Sequence, residues 1–72
     1  MVENYMVNDT YEVKIFYVNI SYAKKEIWSY SIHEGDKELI FETPFYALNK
    51  AKDSIKEKLV YFEQLKRGEL ND

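Results

Sequence analysis

The 72 residues contain no cysteine, one histidine, two glycines and one proline. Without cysteine the chain forms no disulfide and offers no thiolate to a metal ion. The lone histidine, His33, has no nucleophilic partner at a spacing typical of covalent or acid–base catalysis. Two glycines are too few for a glycine-rich loop that cradles phosphate. We therefore expect no enzyme, no cofactor and no metal centre, but a chain that acts by binding a partner.

Long apolar runs are also missing. The longest, over residues 15–20, is far too short to span a bilayer. The N-terminal residues show neither the basic nor the apolar segment of a signal peptide. We therefore expect a soluble, cytoplasmic protein with no membrane partner. A chain of this length makes a single domain, residues 1–72, with a small core. Such domains commonly gain stability from a second copy, which favours a homodimer.

The formal net charge is −3, and it is unevenly distributed. Residues 1–43 carry a net charge of −4, whereas residues 44–72 carry +1. Affinity for nucleic acid comes mainly from cations on phosphates, so the acidic first half argues against direct nucleic-acid binding and favours a basic partner surface. Aromatic residues make up 17% of the chain, which is typical of interfaces. They leave open an alternative in which strand aromatics stack on the bases of a single strand.

β-Branched and aromatic residues over 11–42 predict an antiparallel sheet of about three strands, preceded by a loose arm over residues 1–8. The first strand, residues 11–22, is apolar on both alternating faces in its middle. Either a bulge switches its buried face, or both faces are covered and a second chain supplies the other cover. A second strand over 27–33 and a third over 38–42 flank a turn at Gly35.

A long amphipathic helix is predicted over residues 44–67. Thr43 suits the N-cap, Pro44 the first helical position and Gly68 the C′ position. Six apolar residues recur at helical spacing: Phe45, Leu48, Ala51, Ile55, Leu59 and Phe62. At roughly 35 Å this helix overhangs strands of about 20 Å, unless it breaks near residue 55 and residues 58–65 form a strand. The predicted fold class is α+β, a sheet packed against one C-terminal helix.

Three acidic residues alternate along the chain at Glu34, Asp36 and Glu38, and Glu42 follows them. They lack the pattern of a calcium-binding loop. Alternate residues of an extended strand lie about 6.6 Å apart, which is similar to the separation of neighbouring phosphates along one DNA strand. These carboxylates therefore fit either a DNA mimic or an ordinary solvated hairpin.

Short segments of residues 1–46 form an ordered pattern: residues 1–4, 7–8 and 10–13, then Tyr30, His33, Gly35, Phe41 with Glu42 and, one position displaced, Tyr46. In this pattern the chain resembles the small uracil-DNA glycosylase inhibitors of protein-primed Bacillus phages. Relative to that family, several residues are inserted between the first two strands. The family's short helix and closing third strand are replaced by a segment that contains Pro44 and a long helical period.

The resemblance implies a stoichiometric inhibitor of the host uracil-DNA glycosylase that acts in the host cytoplasm. Family members are homodimers that block the enzyme's DNA-binding groove with acidic groups and receive an apolar enzyme side chain in a pocket at the dimer interface. By position, Glu42 is an acidic contact, and Phe41 and Tyr46 line the interface or pocket. Glu34, Asp36 and Glu38 complete the predicted partner-binding set. A homodimeric adaptor without DNA mimicry is the alternative function.

Overall fold

The structure is a computed structural model, and it describes residues 2–68. Four strands and one helix follow one another along the chain, with a short 3-10 turn at Ser21–Ala23 between the second and third strands. They are β1 (Glu3–Val7), β2 (Tyr11–Ile20), β3 (Lys25–Glu34), β4 (Lys37–Phe45) and α1 (Leu48–Arg67). Each strand pairs antiparallel with the next, in the order β1-β2-β3-β4. The fold is therefore α+β, with one helix on one face of an antiparallel meander.

The sheet has four strands where about three were predicted, because residues 3–7 form a strand and not a loose arm. Asn8 and Asp9 both take positive φ, 53° and 52°, and the Thr10 amide donates to the Val7 carbonyl at 3.0 Å. Positive φ at both central residues characterises the tight turns that fit the twist of a hairpin. Asn and Asp tolerate this conformation better than most residues. The turn therefore folds β1 back along β2.

The two apolar faces of β2 are explained without a bulge in that strand. β2 pairs with β1 and with β3 in unbroken register. Tyr11, Val13 and Ile15 are fully buried under the helix. Phe16 and Val18, of opposite parity, therefore project from the other side of the sheet, which no element of residues 2–68 covers. We call that side the open face.

The helix begins at Leu48, four residues later than predicted, and the predicted capping roles of Thr43 and Pro44 are wrong. Both residues belong to β4, and the bond between them is cis. Phe45 pairs across from Trp28 and stacks on the Tyr30 ring, with the ring centroids 5.6 Å apart. This burial holds the segment in the sheet. Pro44 is tolerated there because β4 is an edge strand, where a missing amide donor is least costly.

Beyond its start, the helix runs without interruption to Arg67, which excludes the alternative strand over residues 58–65. Gly68 ends it as predicted, with φ of 73° and its amide bonded to the Leu65 carbonyl at 3.1 Å. Twenty residues make about 30 Å of helix, and ten-residue strands such as β2 and β3 reach about 33 Å. The helix therefore does not overhang the sheet. The tip of the β2–β3 hairpin projects instead, since residues 18–27 pair only with one another.

The core lies between the sheet and α1. It consists of Tyr11, Val13, Ile15, Tyr30 and Ile32 from the sheet and of Ala51 and Ile55 from the helix. Polar atoms at its border are satisfied: the hydroxyls of Tyr30 and Ser54 bond at 2.7 Å, and Tyr11 donates to Glu63 at 3.3 Å. Within residues 2–68, no helix has the length and apolar character needed to cross a membrane.

Burial raises the pKa of Tyr30, and burial followed by the Glu63 carboxylate raises that of Tyr11. The unfolded chain therefore loses these protons first, near the ordinary tyrosine pKa of about 10. Their contribution to stability is complete below that pH and is lost as the pH rises through the folded pKa. We therefore expect the melting temperature to fall as the pH rises above about 10.

Tyr30→Phe should reduce this alkaline loss, at a cost of about 1 kcal/mol at neutral pH for the missing hydrogen bond. Tyr22→Phe is the matched control, because Tyr22 is 93% exposed. Thermal melts of the parent, of Tyr30→Phe and of Tyr22→Phe, from neutral to alkaline pH, measure the effect. Equal alkaline slopes in all three proteins would show that Tyr30 does not carry it.

Candidate functional site

Three lysines on α1 pair with three glutamates on the sheet. Lys52 lies 3.5 Å from Glu3, Lys58 lies 3.5 Å from Glu42, and Lys66 contacts Glu34. The Glu34 carboxylate raises the pKa of Lys66. The acidic sheet and the basic helix thus neutralise each other in part. Some of the charge asymmetry that favoured a basic partner is accounted for inside the chain.

Of the predicted acidic residues, Glu34 and Glu42 therefore face the helix. Glu34 pairs across from Tyr11 and Glu42 across from Tyr30, and opposite residues of adjacent antiparallel strands project to the same side. The predicted extended row with 6.6 Å spacing does not form. The chain reverses between Glu34 and Lys37, with Gly35 at φ of 60°, so that Asp36 lies in the turn.

Glu38 lies on the open face because an irregularity in β4 changes its side. Ile32 pairs with Ile40, but the next residue, His33, pairs with Glu38, which leaves Leu39 as an extra residue in β4. Within residues 2–68, neither Asp36 nor Glu38 has an ion pair or a side-chain hydrogen bond. These two are the predicted carboxylates that remain available to a partner.

A polar row crosses the open face next to the β3–β4 turn. His33 pairs across from Glu12 on one side and from Glu38 on the other. Its Nε2 atom lies 2.8 Å from the hydroxyl of Ser31, which is 2% exposed. The Glu12 carboxylate is 4.0 Å from the Lys14 ammonium. Glu12 and Glu38 lie two strands apart, so their backbones are separated by roughly 10 Å.

An apolar cluster adjoins this row. The rings of Phe16 and Phe41 lie on the open face with their centroids 6.3 Å apart. Phe41 is 51% exposed, and Val18 further along β2 is 53% exposed. Ile27 pairs across from Val18 and extends the cluster toward the hairpin tip. We call Phe16, Val18, Ile27 and Phe41 the apolar cluster.

Tyr46 lies apart from Phe41. It follows β4, is 65% exposed, and lines a groove along the projecting hairpin with Lys24, Lys25 and Glu26. The predicted partner-binding residues therefore lie in three separate places. Glu38 and Phe41 share the open face with Asp36 at its border, Glu34 and Glu42 face the helix, and Tyr46 lies near the hairpin.

Sequence reasoning missed Glu12, Phe16 and Val18 as members of this surface. The signal was present, because the apolar residues of even number in β2 have no cover in a one-helix fold. Among residues 2–68, no group of three or more His, Asp or Glu side chains is placed to hold a metal ion. The open face offers carboxylates, an imidazole and exposed aromatic rings, an arrangement suited to binding.

Comparison of the chain with family models, with curated proteins and with solved structures finds no match.

Proposed function

We propose that this protein inhibits a host uracil-DNA glycosylase by occupying its DNA-binding groove as a DNA mimic. One observation carries the proposal: the Glu38 carboxylate, which has no ion pair within residues 2–68, lies on the open face beside the apolar cluster, with Asp36 at the border of that face. The ordered sequence resemblance supplies the target. An inhibitor of this kind needs both parts, because charge alone attracts many basic proteins and does not select one.

The acidic part of the proposed interface consists of Asp36 and Glu38, together with Glu12, whose carboxylate lies 4.0 Å from the Lys14 ammonium on the same strand. A groove that binds DNA carries cations for the phosphates, and these carboxylates would take the phosphate positions. Glu34 and Glu42 rank below them. Each is ion-paired with the helix, so that contact with an enzyme requires the lysine to be displaced or shared.

The apolar part of the proposed interface is the apolar cluster, which includes the Phe16 and Phe41 rings. Together with a second copy of the chain, it would form the interface and the pocket that receives an apolar side chain of the enzyme. Aromatic residues at the centre of an interface commonly contribute most of its affinity. Tyr46, on its separate groove, would contact the enzyme only at the rim of such an interface.

A homodimeric adaptor without DNA mimicry is the second candidate function. The ion pairs of Glu34 and Glu42 favour it, because they leave fewer free carboxylates than the sequence suggested. The two functions differ in their response to salt. Binding by a mimic weakens as ionic strength rises, whereas binding through the apolar cluster changes little.

A uracil-excision assay tests the proposal. The protein is titrated into a bacterial uracil-DNA glycosylase acting on a uracil-containing oligonucleotide, and inhibition should saturate near one dimer per enzyme. We expect Glu38→Lys to weaken inhibition about tenfold, because it places a cation against a basic groove. Glu57→Lys is the matched control, since Glu57 is exposed on the helix.

Full enzyme activity at large excess of folded protein, with more than one bacterial enzyme, would refute the proposal. Equal inhibition by both charge variants would remove Glu38 from the interface. Direct binding of a labelled single-stranded oligonucleotide would instead support the nucleic-acid alternative.

A further inference from the structure

β1 is an edge of the sheet, and nothing within residues 2–68 pairs with its outer side. Its five residues pair with β2 in consecutive register, from Glu3 opposite Ile15 to Val7 opposite Tyr11. An edge strand presents a row of unpaired amide and carbonyl groups, which is a template for a further strand. The backbone of β1 is therefore available for strand addition.

The opposite edge, β4, is protected in two ways that β1 is not. Its register shifts at Leu39 and again between Glu42 and Phe45, and Pro44 removes one amide donor. Bulges and proline are devices by which natural sheets prevent pairing at an edge. β1 contains neither proline nor glycine, and its register with β2 is regular. The two edges thus differ in their capacity to accept a strand.

A groove of about 700 Å³ lies beside β1, between that strand and the helix. It exists because α1 packs mainly over β3 and β4 and leaves the β1 side of the sheet open. Its apolar lining consists of Val2, Tyr5, Val7, Ile55 and Leu59. Val2 is 53% and Tyr5 38% exposed, so an added strand would cover apolar surface as well as pair its backbone.

The charge at the groove selects its occupant. Lys52 and Lys56 form its helical rim. Lys52 is paired with Glu3, whereas Lys56 is exposed and has no ion pair within the described residues. Pairing of β1 with a second copy of itself would place two such lysine rims around one joined groove, and like charges oppose that arrangement. A segment that carries a carboxylate complements Lys56.

We propose that β1 and this groove bind an extended peptide segment of a partner protein by strand addition. The segment pairs with the outer edge of β1, directs alternate apolar side chains toward the groove, and places an acidic side chain near Lys56. Backbone pairing supplies affinity and the alternating side chains supply specificity, as in other modes of β-strand addition. This surface is separate from the open face and does not depend on the proposed inhibition.

The test uses a fluorescein-labelled peptide, Ser-Val-Thr-Val-Ser-Glu, whose two valines and glutamate share one face of a strand. Titration of the full chain is followed by fluorescence anisotropy and by amide chemical shifts. We expect saturable binding, with the largest shifts at residues 3–7 and along the groove. Two further peptides are N-methylated at alternate residues, one at each of the two sets of alternate amides. Their affinities should differ at least about tenfold, because only one set of amides donates hydrogen bonds to β1.

Charge reversal provides the matched control. Lys56→Glu should weaken binding of this peptide about two- to fivefold and strengthen binding of its counterpart ending in lysine, since exposed ion pairs contribute modestly. Shifts confined to β4 or the open face, no saturation at millimolar peptide, or equal affinity of both N-methylated peptides would overturn the proposal. So would concentration-dependent shifts at residues 3–7 without peptide that the peptide cannot displace, since a second copy would then occupy the edge.

Discussion

Ile55→Ala is expected to lower the free energy of unfolding by about 2–5 kcal/mol, the largest effect of any single change considered. Ile55 is 1% exposed at the centre of the helix, and it packs among the fully buried side chains of the sheet. Truncation removes apolar contacts and leaves a cavity that its neighbours fill only in part. A domain of this size has roughly 4–11 kcal/mol of stability in total, so the loss is a large fraction.

Urea denaturation at neutral pH measures the effect, with Val60→Ala as its control. Val60 lies on the same helix and is 56% exposed, so the two changes gain similar amounts of helix propensity but differ in burial. We expect the control to change stability by less than about 0.5 kcal/mol. Equal losses in the two variants would mean that α1 does not pack on the sheet through Ile55.

Phe41→Ala is expected to reduce inhibition of uracil-DNA glycosylase by about 30-fold or more, which corresponds to roughly 2 kcal/mol for an aromatic residue at the centre of an interface. Phe41 is half exposed and contacts Phe16 across the open face. Its truncation should therefore cost the isolated chain less stability than the loss of a buried ring would. The uracil-excision assay, with variant and parent at matched folded concentrations, measures the change.

Tyr61→Ala is the control for this prediction. Tyr61 is 41% exposed and also contacts a neighbouring ring, that of Phe62, but it lies on the helix. Inhibition should survive that change within about threefold. If Phe41→Ala inhibits as well as the parent while Glu38→Lys does not, the polar row that contains Glu38 forms the contact without the apolar cluster. Loss of dimerisation in Phe41→Ala would assign the apolar cluster to the interface between copies.

The two kinds of variant also separate the candidate functions. A DNA mimic requires the carboxylates at Asp36 and Glu38, whereas an adaptor requires only the apolar cluster. The ion pairs of Glu34 and Glu42 make a charge test at these two positions ambiguous, because reversal there also disturbs the contact between helix and sheet. Glu38 has no such partner among the described residues, and it is the sharper position to change.

The α+β class, the turn at Gly35 and the helix end at Gly68 were predictable from sequence because each depends on a few neighbouring residues. The apolar stripe of the helix and the run of strand-forming residues in β2 are likewise local patterns. The sequence also indicated that β2 is apolar on two sides. It did not indicate which side the helix covers, because alternation specifies two faces without assigning them.

Tertiary contacts decided the remainder. β1 is a strand because β2 is placed beside it, and Phe45 stays in the sheet because the Tyr30 ring stacks on it. Glu34 and Lys66, 32 positions apart, meet only once the helix has docked. The sequence alone therefore determined that β2, β3 and β4 are strands, that a helix follows them, and how many acidic groups the chain carries. Only the folded chain decided which carboxylates are neutralised and which remain exposed, because ion pairing depends on distances in space that local sequence patterns do not encode.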